Sequence, residues 1–182
     1  MNKILYAFAL AGVLGLSSCS DFLDQTSPSE MTAENTYASP YYTNLRVNKL
    51  YGGMGQDRTY AQDLSIVWNL NSDCELIDGL GSNATNTSSE RGNMNYNMDP
   101  GWSKISGLWD AEYGIIVDAN QIIEGIRSSA TLTAGGANQK SMERSLGEAL
   151  TIRAMVYFDL VRIFGDIPFK REASKSDLSN AY

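Results

Sequence analysis

Asp73 and Glu75, the cluster Gly52-Gly53-Met54-Gly55 and the two cysteines, Cys19 and Cys74, are the places where residue type and spacing in this chain could do chemistry. Asp73 and Glu75 could be read as a carboxylate pair. Residues two apart on a helix do not face each other, however, and on a strand they share a face without defined geometry, so Asp73 reads better as a capping or turn residue. The glycine cluster has neither the Lys-Ser/Thr of a phosphate loop nor a preceding strand, and reads as a turn. Histidine is absent, which removes the commonest general base and a common metal ligand. No Ser or Cys has a base at recognisable spacing. A glycosidase needs two carboxylates roughly 5–9.5 Å apart across a cleft, and no such pair stands out. The residues therefore predict no catalytic centre, no metal site and no cofactor.

Composition sets the frame around these residues. The chain has 182 residues, 43% hydrophobic and 19% charged, which fits one globular domain with a real core. Its 21 acidic against 14 basic residues give a net charge of -7, with no basic run. Nucleic acid needs clustered Lys and Arg to displace counterions, so it is excluded as a partner.

The first eighteen residues read as a secretory signal: Lys3 is the positive start, Ile4 to Leu16 is apolar throughout, and Ser17 and Ser18 precede Cys19. The apolar run is too short to span a membrane, which takes roughly 20 residues. Leu16-Ser17-Ser18-Cys19 resembles the lipobox of bacterial lipoproteins, in which the signal is cut before the cysteine and the thiol is acylated. Such an anchor joins the mature protein to a membrane without crossing it. With Cys19 lipidated, Cys74 has no disulfide partner. Residues 19–36 are polar and aperiodic, and read as a tether; residues 37–182 form the folded domain.

Within that domain, Tyr41, Leu45, Val47 and Leu50 predict a short helix with Ser39 as cap and Pro40 at its first position, ended by the glycine cluster. Leu64, Ile66, Trp68 and Leu70 alternate, which suits a short strand or an irregular core segment. Residues 78–101 are rich in Gly and Asn and make a long surface loop.

Two helical patterns follow. Trp109, Tyr113, Ile116, Asn120, Ile123 and Arg127 recur at steps of four and three, with Ile115, Ala119, Ile122 and Ile126 beside them. After a short connection at 131–138, Leu146, Leu150, Arg153, Tyr157, Leu160 and Phe164 form one row, and Ala149, Ile152, Val156 and Ile163 a second. Gly165 then offers a left-handed cap and Pro168 forbids continuation. The two helices should pack antiparallel as a hairpin. Arg153, flanked by Glu148 and Asp159, reads as a structural ion pair or as a hydrogen bond to the exit loop.

At Trp109–Ile126 (WDAEYGIIVDANQIIEGI) and Gly147–Phe169 (GEALTIRAMVYFDLVRIFGDIPF), with CSDFLD after the signal, the chain resembles the N-terminal part of the RagB/SusD family of outer-membrane lipoproteins. The family pattern is W...Y..I..AN..I..I followed by EA..LRA..YF.L...FGD.P, with Ile152 here where leucine is usual. The resemblance implies a mainly α fold, a tetratricopeptide-like helical hairpin scaffold with long irregular loops. It implies a lipoprotein on the cell surface of Bacteroidota, a lid over a SusC-type TonB-dependent transporter that captures a polysaccharide or oligosaccharide for import, without enzymatic activity. A protein-binding scaffold of helical repeats is the other reading. Family members are much longer, so the fold is expected to be incomplete at its C-terminus, with part of the second row on the last helix exposed.

Given such a ligand, a capturing surface needs exposed rings flanked by amide, carboxylate or guanidinium groups. The segment before the first paired helix offers Arg91, Asn93, Asn95, Tyr96, Asn97, Asp99 and Trp102. The starch-binding member of the family takes part of its aromatic platform from the corresponding segment. Trp109, Tyr113 and Trp68 are assigned to the core.

Overall fold

A computed structural model describes residues 32–69, 72 and 101–173. The signal at 1–18, Cys19 and nearly all of the tether, the Asp73/Glu75 pair, Cys74, and Arg91, Asn93, Asn95, Tyr96, Asn97 and Asp99 lie outside the described residues. The described chain is mainly helical. Its elements are α1 (Ala33–Ala38), α2 (Pro40–Met54), α3 (Asp63–Asn69), α4 (Ser103–Ser128), a 3-10 turn (Ala130–Thr133) and α5 (Gly136–Phe164). Among the described residues no helix is long and apolar enough to cross a membrane.

Helix α1 takes in residues that their polar composition assigns to the tether. Burial decides this: Thr36 and Tyr37 are covered. A Cβ at Gly125 would lie 2.2 Å from the Tyr37 ring, so the absent side chain is what lets the ring seat against α4. Ser129 Oγ donates to the Tyr37 carbonyl at 2.6 Å and Thr131 Oγ1 to that of Ala38 at 2.9 Å, closing the end of α1.

At the corner into α2, Ser39 is extended and Pro40 opens the helix as expected, but the Ser39 side chain makes no capping bond. Thr43 supplies the link instead, its hydroxyl reaching the carbonyls of Ser39 at 2.9 Å and Thr36 at 3.2 Å. With that hydroxyl satisfied, Thr43 is buried beside Val47 and Leu50. Tyr41 and Leu45, two of the apolar positions that predicted this helix, therefore point outward, 67% and 48% exposed. The glycine cluster also behaves differently from expectation. Helix α2 runs through Gly52 and Gly53 because it passes close to α4, where a Cβ on Gly53 would meet Ile115 Cγ1 at 3.0 Å.

The alternating stretch after Tyr60 is α3, a helix and not a strand. Leu64 and Trp68 are one turn apart and share the inner face, so two-residue alternation over seven positions mimicked a strand. Lys104 of α4 pairs with the buried Asp63 at 3.0 Å and ties α3 down.

Helices α4 and α5 form the expected hairpin. Trp109 meets Phe164, Tyr113 meets Tyr157 and Arg153 bonds Asn120, a pairing of early with late residues that fixes the antiparallel sense. Ile116, Ile122, Ile123 and Ile126 interlock with Met142, Ile152, Val156 and Leu160, over Val47 and Leu50 of α2. Burying side chains of this size stabilises by about 1.5–3 kcal/mol each. In the second row on α5, Ala149, Ile152 and Val156 are buried and Ile163 is partly exposed, so the expected exposure is confined to the last residue of the row. The exposed apolar residues form a third row, Met155, Phe158 and Val161. Both named rows lie on one broad face that α2 and α4 together cover. Gly165 ends α5 at φ 75° and ψ -125°, positive φ as expected for a glycine cap.

Candidate functional site

Beyond Gly165 the chain is stitched to the hairpin. Tyr113 Oη donates to the Pro168 carbonyl at 2.7 Å. Tyr157 Oη donates to the Lys170 carbonyl at 2.7 Å and accepts from its N–H at 2.8 Å. The buried Asn120 directs Nδ2 to the carbonyls of Lys170 and Glu172, 3.1 and 3.3 Å away. Arg153 Nη1 donates to Asn120 Oδ1 at 2.7 Å and to the Arg171 carbonyl at 3.3 Å. Of the two expectations for Arg153, the bond to the exit loop is the one realised. Glu148 pairs with Arg144, and Asp159 accepts from Tyr60. Burial pushes the Tyr113 phenol up to about 12 and raises that of Tyr157, so both stay neutral donors. This hub sets the path of the chain from Gly165 to Glu172. Beside it an open cavity of about 440 Å³ is lined by Asn120, Ile123, Glu124, Arg127, Arg171 and Glu172, among others. It offers charged and amide groups without an aromatic ring among the described residues.

A second cluster lies between α4, α5 and the turn before α3. Glu112 is fully buried, and neither carboxyl oxygen has a hydrogen-bond partner among the described residues. Burial, and then the nearby Asp159, push its carboxyl up to about 8, so it is protonated at neutral pH. Asp159 is itself raised by burial, an effect opposed by the Tyr60 hydroxyl and the Arg162 guanidinium. Two carboxyls with shifted acidity are what acid–base chemistry uses, but both are sealed from solvent, and a substrate cannot reach them. The signal for this cluster was in the sequence: Glu112 lies in phase with Leu108 and Ile116, and Asp159 in phase with Ile152 and Val156.

Of the expected ligand-contacting residues, Trp102 is the one described. It directly precedes α4, is 7% exposed, and its indole nitrogen is buried without a hydrogen-bond partner among the described residues. That differs from an open platform. Trp109 and Tyr113 are half-buried against the core, their rings 4.7 Å apart. Trp68 is half-buried beneath Arg162, whose guanidinium lies 4.3 Å from the ring centre. Sequence reasoning missed the outer face of α2, where Tyr41 and Tyr51 are exposed.

The SusD-like family described as starch-binding and associating with outer membrane matches residues 21–181. The chain belongs to this SusD-like family. It is similar to SusD-like protein P25 of Formosa agariphila, 23% identical over 180 residues, which cover 94% of this chain and 31% of that protein. It is also similar to SusD-like protein P2 of the same organism, 28% identical over 170 residues, with 93% and 31% covered. A SusD-like protein of Bacteroides ovatus is 30% identical over 63 residues, 35% of this chain and 11% of that protein. The chain thus spans about a third of the length of the first two relatives. No solved structure matches it. The two SusD-like motifs fall on α4 and α5, and their Tyr113, Asn120, Arg153 and Tyr157 build the hub that holds the exit segment. In this SusD-like chain the motifs therefore mark a scaffold.

Proposed function

We propose that this chain is part of a cell-surface glycan-binding lipoprotein, anchored in the outer membrane through Cys19, facing outward and acting with a SusC-type TonB-dependent transporter. The family match along residues 21–181 carries the reading. The protein binds and delivers its ligand without converting it. Residues Arg91, Asn93, Asn95, Tyr96 and Asp99 contact the polysaccharide or oligosaccharide, while Trp102 is mostly covered at the start of α4. Native affinity electrophoresis through gels holding a panel of polysaccharides tests this. Retardation by at least one glycan, weakened by Tyr96→Ala, is expected; retardation by none contradicts it.

A second reading, a helical scaffold that binds only protein, draws support from the exposed row Met155, Phe158 and Val161 on α5. Co-purification with the transporter together with no retardation on any glycan would favour it.

A further inference from the structure

On the outer side of α2, Tyr41, Asn44, Asn48 and Tyr51 follow at steps of three, four and three, which puts them in one line along the helix. Tyr41 is 67% and Tyr51 49% exposed. Both asparagines between them are exposed as well. At the helical rise the two rings are about 15 Å apart, long enough for a few sugar rings in a row.

Both rings are held. Tyr41 packs edge-on against Tyr42, with centroids 5.3 Å apart. Tyr51 Oη donates to Glu148 Oε2 at 3.3 Å, while Arg144 holds the other oxygen of that carboxylate at 2.8 Å. The row itself carries no charge. Lys49 pairs with Asp118 at 2.7 Å and Arg46 donates to Gln121 at 3.3 Å, so the cations of α2 are turned toward α4. Asn48 donates to Asn44 Oδ1 at 3.4 Å, which uses one amide hydrogen and leaves the others to solvent.

Rings for CH faces, amides for hydroxyls and four uncharged side chains, with the Glu148 carboxylate beside Tyr51 already paired to Arg144, fit a neutral sugar chain better than an acidic one or a cation. The exposed row on α5 lacks this mixture. Met155, Phe158 and Val161 offer apolar area with no amide to orient a hydroxyl.

We infer that the outer row of α2, Tyr41, Asn44, Asn48 and Tyr51, is a carbohydrate-contact surface for a stretch of neutral polysaccharide, separate from residues 91–99. It rests on the glycan-binding reading above. The rings stack on sugar faces and the amides bond to hydroxyls.

The test uses the full chain in native gels containing amylopectin and a panel of other neutral polysaccharides, with circular dichroism to verify helicity. Tyr41→Ala/Tyr51→Ala should bind roughly tenfold or more weakly, since ring contacts of this kind are individually modest. Tyr41→Phe/Tyr51→Phe should stay within about twofold of the parent, because the stacking faces remain. If the double alanine variant is retarded like the parent, the inference is overturned while the glycan-binding reading stands. If the parent is retarded by no polysaccharide, both fall. Unchanged retardation with lost co-purification of the transporter would make the row a protein surface, and also overturns the inference.

Discussion

Glu112 and Tyr41 lie on neighbouring helices and depart from the habits of their residue types in opposite senses. Glu112 is a carboxyl sealed inside the hairpin with no hydrogen-bond partner among the described residues, and Tyr41 is a large ring left 67% open to solvent. Spacing explains both. Helical periodicity fixes which residues share a line, but tertiary contacts decide which line faces the core. On α4 the line through Leu108 and Ile116 carries Glu112 inward with it. On α2 two lines compete, and the one with Thr43, Val47 and Leu50 goes in because Thr43 finds two carbonyls at the corner with α1.

The largest way to break this contrast is through Glu112. Its folded pKa of about 8 lies above its unfolded value near 4.5. Between these the folded state holds a proton that the unfolded state has lost. The stabilisation is fully present below about 4.5 and disappears as pH rises through about 8, amounting to roughly 5 kcal/mol at most. Urea midpoints from pH 5 to 9 should fall with pH for the parent. They should fall much less for Glu112→Met, with a residual slope from Asp159, whose shift has the same sign. Parallel curves would show that Glu112 is solvated.

Gly125→Ala comes next. The added Cβ meets the Tyr37 ring at 2.2 Å, so α1 must shift, at a cost of about 1–3 kcal/mol. Adding Tyr37→Ala should recover part of the loss in a double-mutant cycle; additive losses would mean the ring does not seat there. The smallest effect belongs to the surface. Tyr41→Ala and Leu45→Ala should each change unfolding free energy by no more than about 0.5 kcal/mol, despite removing large apolar groups. A loss of 2 kcal/mol or more, of the kind a core truncation gives, would show that α2 is turned the other way.

These cases show how far the sequence could be read. The hairpin was legible because α4 and α5 carry apolar positions at steps of three and four over several turns, and because Gly165 and Pro168 stop the second helix sharply. Helix α3 was not, since seven residues are too few to separate alternation from a helical turn. Gly52 and Gly53 looked like punctuation, yet close passage of α2 over Ile115 makes Gly53 a helix residue. At the candidate site, residue types suited to sugars were visible, but exposure was not. Trp102 is buried at the start of α4, whereas Tyr41 and Tyr51 are left open on α2.

Running Glu112→Met beside Tyr41→Ala/Tyr51→Ala in one glycan-containing native gel at pH 7 sets the inside against the outside most directly. The account predicts that Glu112→Met is retarded like the parent while the double tyrosine variant is retarded clearly less. Retardation lost with Glu112→Met and kept by the tyrosine variant would contradict it.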